Sequence, residues 1–117
     1  MDNIIIKGPF GEVHLSRYED VLSYPNSHQI HYLSIPSNIV IEEIVALPPN
    51  LQIFRCCNNK LKKLPYLPST IRHIFVKTNK IEEFPIIKHC CELEELNLND
   101  NYICEIDTER KNRPYRS

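Results

Sequence analysis

Apolar and polar positions recur along the middle of the chain in one spaced pattern. Residues 51 to 65, LQIFRCCNNKLKKLP, read as L-x-x-F-x-C-x-x-N-x-L-x-x-L-P. Twenty residues on, the pattern returns as IRHIFVKTNKIEEFP at 71 to 85, and twenty-two further on as LEELNLNDNYICEI at 93 to 106. A fixed period near twenty predicts a solenoid, in which each unit buries its apolar face only against its neighbours. The alternation at the start of each unit predicts a short strand with every second side chain inward. The expected interior stacks Leu51, Phe54, Cys56, Leu61 and Leu64 over Ile71, Ile74, Val76, Ile81 and Phe84. Leu93, Leu96, Leu98, Ile103 and Ile106 follow. The strands should pair in parallel, about 4.8 Å apart.

An earlier unit starts at IHYLSIPSN, where Ile30, Leu33, Ile35 and Asn38 take the slots of Leu51, Phe54, Cys56 and Asn59. Its next apolar residues, Ile41, Ile44 and Leu47, match only if one extra residue enters after Asn38. Asn38, Asn59, Asn79 and Asn101 then form one column. An inward asparagine carries two donors and an acceptor, enough to satisfy backbone groups where the chain turns out of a strand. These four are therefore expected to be structural. A second column runs Glu42-Glu43, Lys62-Lys63, Glu82-Glu83, whose alternating signs favour register over slippage.

The flanks differ. Residues 3 to 15 read as a hairpin around the turn sequence Gly8-Pro9-Phe10-Gly11. Ser16-Arg17-Tyr18-Glu19 fits a capping box for a short helix ending before Pro25. Residues 1–29 are thus expected to form an N-terminal hairpin-plus-helix cap. The repeats divide as 30–50, 51–70, 71–92 and 93–106, and a polar basic tail fills 107–117. Prolines at 48, 49, 65, 68 and 85 deny the back of each unit a helix and favour extended or 3-10 geometry.

Composition narrows the chemistry. A net charge of −1 over 117 residues argues against a dedicated nucleic-acid binder. No apolar run reaches membrane-span length, and the first residues lack the basic and apolar regions of a secretory signal. Five cysteines, two pairs of them adjacent, make a poor disulfide framework, so reduced thiols in an intracellular protein are expected. Neighbouring cysteines on a strand point to opposite faces, which spoils zinc spacing; no metal or other cofactor is expected. Cys57 and His73 could share a face, but nothing suggests an oxyanion hole, and no phosphate loop or hydrolase signature is present. Abundant isoleucine, asparagine and lysine, with two glycines and no tryptophan, point to an AT-rich genome such as that of a large DNA virus. That source would place the protein in host cytoplasm or a virion.

These repeats resemble the leucine-rich repeat family, in particular its short-repeat class found in bacterial effectors and some large DNA viruses. The resemblance spans residues 30–106. It implies an α/β-type, mostly β leucine-rich repeat solenoid with a short parallel sheet on the concave face and a non-helical convex side. It also implies a non-enzymatic module that binds a protein partner through that concave face. The outward positions there are Ile53, Arg55 and Cys57, then His73, Phe75 and Lys77, then Glu95, Asn97 and Asn99. Some effectors of this class carry a ubiquitin-ligase domain after the repeats, and nothing in this chain matches it. The C-terminal end of the repeats offers a further place for docking or self-association. Two other readings stand beside this one. A structural component of a larger assembly, such as a viral particle, would show obligate co-assembly. A thiol- or metal-dependent enzyme fragment would show turnover.

Overall fold

The repeating alternation produces three-residue strands whose middle residue faces the interior, and the residue just past each strand, such as Cys56 or Val76, faces it too before the chain turns away. The structure, a computed structural model, describes residues 2–103. It is a mostly-strand fold with one six-stranded mixed sheet and little helix. Strands β1 (Ile4–Gly8) and β2 (Gly11–Leu15) form the expected hairpin. A four-residue helix α1 (Glu19–Leu22) and a 3-10 turn (Ser27–Gln29) follow. Then come β3 (Tyr32–Ser34), β4 (Ile53–Arg55), β5 (His73–Phe75) and β6 (Glu95–Asn97). The sheet order is β2-β1-β3-β4-β5-β6. β3 to β6 pair in parallel, and β1 pairs antiparallel with both β2 and β3.

The hairpin turns at Gly11, whose φ of +98° suits a residue with no Cβ. A Cβ on Gly8 would lie 2.7 Å from the Gln29 carbonyl oxygen, so the hairpin packs tightly against the 3-10 turn. The capping box does not form. The residue before α1 is Tyr18, and no side chain caps the helix. Tyr18 instead sends its hydroxyl to the Ala46 carbonyl at 2.6 Å, tying the helix to the segment that follows β3.

Units twenty to twenty-two residues apart stack in register. Leu33, Phe54, Ile74 and Leu96 are aligned across β3 to β6 and are all buried. The ladder outruns the strands: Cys56 N–H donates to Phe75 O at 2.8 Å and Val76 N–H to Asn97 O at 3.1 Å. Leu64, Phe84 and Ile103 are partly buried at the margin of the core. Among the described residues, the segments joining β3 to β6 contain turns and no helix.

After β4, β5 and β6 the chain leaves the strand through one left-handed residue, Asn58, Thr78 or Asp100, with φ of 55°, 59° and 62°. The asparagine that follows points inward. Asn79 donates to the carbonyls of Cys56 (2.7 Å) and Val76 (3.0 Å) and accepts from Leu61 N–H at 3.0 Å. Asn59 accepts from Ile41 N–H, and Asn101 from Ile81 N–H. The same bond thus recurs between successive units. Asn38 does not belong to this column. It is exposed and donates to the Asp2 carbonyl at 2.9 Å. The extra residue between 36 and 40 swings it out, and Asn59 reaches back to the carbonyls of Pro36 and Ile39 in that turn.

In the charged column, Lys62 pairs with Glu42 at 3.5 Å, the one ion pair within that column among the described residues. Cys104, Ile106, the basic tail 107–117 and the expected docking end beyond Ile103 lie outside the described residues.

Candidate partner-binding surface

Strand alternation turns every residue flanking the buried middle position onto the opposite face of the sheet. The parallel register sets these outward residues in two rows. One row is Tyr32, Ile53, His73 and Glu95, and the other is Ser34, Arg55, Phe75 and Asn97. Cys57, Lys77 and Asn99 come two residues after Arg55, Phe75 and Asn97, just past the strand ends. All nine positions singled out from the sequence therefore belong to β4, β5 and β6 or their immediate continuations.

The rows are knit together by side chains. The Arg55 guanidinium lies over the Phe75 ring, 4.7 Å from its centroid. The His73 and Phe75 rings are parallel within 2° at 6.2 Å. Phe75 is consequently half-buried, covered in part by its neighbours on the sheet. Arg55 remains exposed above it.

One end of the face is ionic. His73 Nδ1 is 2.9 Å from Glu95 Oε1, and its Nε2 is 3.6 Å from Glu94 Oε1. Arg72 holds the same Glu94 through two guanidinium nitrogens. That hydrogen bond, with the guanidinium's charge, keeps the Glu94 carboxyl below its ordinary range and the Arg72 guanidinium above its own. Asn97 uses its side-chain oxygen internally, accepting from Asn99 N–H at 3.0 Å. An open cleft of about 230 Å³, bordered by Ser34, Ser37, Arg55 and Cys57, joins this face near the hairpin.

The thiols divide by burial. Cys56 is wholly buried, and desolvation, with the neighbouring Cys57, pushes its thiol up to about 12. Cys90 is buried and raised for the same first reason. Cys57 is half-buried and donates its thiol to the Phe75 carbonyl at 3.5 Å, an acceptor that cannot serve as a general base. Cys56, Cys57, Cys90 and Cys91 are all free. Among the described residues, no three His, Cys, Asp or Glu side chains gather closely enough to hold a metal ion. No helix there is long and apolar enough to cross a membrane.

The hairpin extends the face in a way the repeat pattern did not signal. Ile5 pairs with Ser34 and Lys7 with Tyr32 in the β1–β3 register. The Lys7 ammonium sits 4.4 Å from the Tyr32 ring centroid and 3.8 Å from Glu12. The turn sequence at residues 8–11 signals the hairpin but not its pairing with β3. Compared with family models, curated proteins and solved structures, the chain matches none of them.

Proposed function

We propose that the chain is a short leucine-rich repeat solenoid, capped by its N-terminal hairpin and helix, and that it works without catalysis as a protein-binding module. The outward face of the sheet is its binding surface. The observation that carries this reading is the pair of registered rows, which puts a guanidinium on an aromatic ring beside an imidazole, a carboxylate and an amide. Arginine and aromatic side chains are the residue types that dominate binding at protein interfaces, and a polar rim around them supplies orientation. The mixed signs of Lys7, Arg55, Lys77, Glu94 and Glu95 suit a protein surface better than a phosphate backbone, which rewards uniform positive charge. Three-residue strands on a rigid, registered backbone hold these groups with little ordering cost on binding.

The test places a photo-crosslinking residue at position 53 on this face and, as a control, at position 40, and identifies adducts formed in cells. The reading expects one protein adduct specific to position 53 that disappears with Arg55→Glu. Adducts common to both positions, or insensitive to Arg55→Glu, would argue against the outward face as the binding surface.

A further inference from the structure

Away from the sheet face, the proline-containing segments carry a second surface. Val45, Tyr66 and Ile86 are 93%, 74% and 70% exposed, large apolar side chains with most of their area in water. They line one open groove of about 490 Å³ together with Pro65 and Pro85. Contiguous exposed apolar groups of this kind mark an interaction surface rather than scattered surface hydrophobes. The Tyr66 ring is held in place by stacking on His89 at 4.5 Å and 7°, so it is presented as a fixed plate.

The groove wall also carries Glu43, Lys63 and Glu83 in successive units. Among the described residues, none of these three makes an ion pair. Backbone bonds from Lys62 N–H to Glu42 O and from Lys80 N–H to Leu61 O hold the units side by side here, so Lys63 and Glu83 are neighbours in one column and Tyr66 and Ile86 in another. Consider two copies meeting face to face about a two-fold axis that runs along the units, between the second and third. Such an axis keeps each position within a unit and exchanges the units. Lys63 then opposes Glu83 of the other copy, Glu83 opposes its Lys63, and Tyr66 opposes Ile86 in both directions. Within units two and three, opposite charge meets opposite charge and apolar meets apolar, while Glu43 and Val45 lie outside this crossed set. An isologous interface requires this self-complementarity, and a closed pair results.

We propose that the Tyr66–Ile86 groove is a homodimer interface in which a second copy of this chain docks antiparallel, unit two on unit three. The pair leaves the outward sheet face of both copies open, so the proposal stands or falls separately from the partner-binding reading.

The experiment is sedimentation equilibrium of the full chain across micromolar concentrations, with urea melts to verify folding. Wild type is expected to dimerise reversibly. Tyr66→Ser and Lys63→Glu should each weaken dimerisation about tenfold or more, since each lesion occurs twice per interface. The swap Lys63→Glu with Glu83→Lys should restore it, because the crossed pairing is regenerated. A monomer at all concentrations overturns the proposal. So does a dimer indifferent to Tyr66→Ser, or one that Lys63→Glu weakens and the swap fails to rescue. Crosslinks from Lys63 to residues 104–117 of the same, monomeric chain would instead put that segment in the groove, which also overturns it.

Discussion

Asn79 and Thr78 carry opposite lessons about a single tight turn. Asn79 satisfies Leu61 N–H and the Cys56 and Val76 carbonyls inside the protein. Leucine there would strand those groups, each costing about 1–3 kcal/mol. Asn79→Leu should therefore lower unfolding free energy by about 3 kcal/mol or more in urea titrations. Asn38→Leu, at a surface position with one carbonyl contact, should change it by less than about 1 kcal/mol. Equal effects would contradict the inward column of Asn59, Asn79 and Asn101. Thr78 holds a β-branched side chain at φ 59°, where the neighbouring units place Asn58 and Asp100. Left-handed geometry is costly for β-branched residues and tolerated by asparagine. Thr78→Asn should stabilise the fold by about 0.5–1 kcal/mol, net of the exposed Thr78–Asp100 hydrogen bond. Among the thiols, Cys91 is exposed while Cys56 and Cys90 are buried with raised thiols. Thiol-labelling mass spectrometry of the native protein should modify Cys91 and Cys57 well before Cys56 and Cys90.

At the level of elements, the strands are too short to be stable alone, and their register depends on what packs beneath and links across them. Phe54 fills the inward slot of β4 and is wholly buried. Phe54→Ala should cost about 3–5 kcal/mol, whereas the adjacent outward Arg55→Ala should cost little. Arg72 and Glu94, immediately before β5 and β6, link the two strand entries through exposed side chains. Glu94's folded carboxyl is lowered, so its contribution is present above its ordinary value of 4.5 and fades as pH falls through the depressed one. Carboxyl NMR titration should find Glu94 below 4.5, and Arg72→Ala should move it upward. The sequence made the inward residues of these elements legible, since Leu51, Phe54, Ile71, Ile74, Leu93 and Leu96 recur at a period no other requirement imposes. It misplaced Asn38, because one inserted residue redirects a side chain without disturbing the apolar spacing on either side. It placed Phe75 outward but could not show its cover, because Arg55 sits twenty residues away on the neighbouring strand. It was silent on Tyr66 and Ile86, because the proline-containing segments have no alternation from which to read a face.

For the whole molecule, the proposed function divides one sheet between two tasks: its inner face and asparagine bonds hold the units together, and its outer face is offered for recognition. The alternation in each repeat was enough to assign Ile53, His73 and Glu95 to one row and Arg55, Phe75 and Asn97 to the other. How those residues contact one another depends on neighbours across strands, which a linear pattern does not specify. The division of tasks is tested most directly by measuring stability and affinity on the same variants. With the partner identified by crosslinking at position 53, Arg55→Ala and His73→Ala should each leave the unfolding free energy from urea titration within about 0.5 kcal/mol of wild type. Calorimetric titration should show the same variants binding about 1–3 kcal/mol more weakly. Variants that bind as tightly as wild type, or lose binding only in proportion to lost stability, would contradict the account.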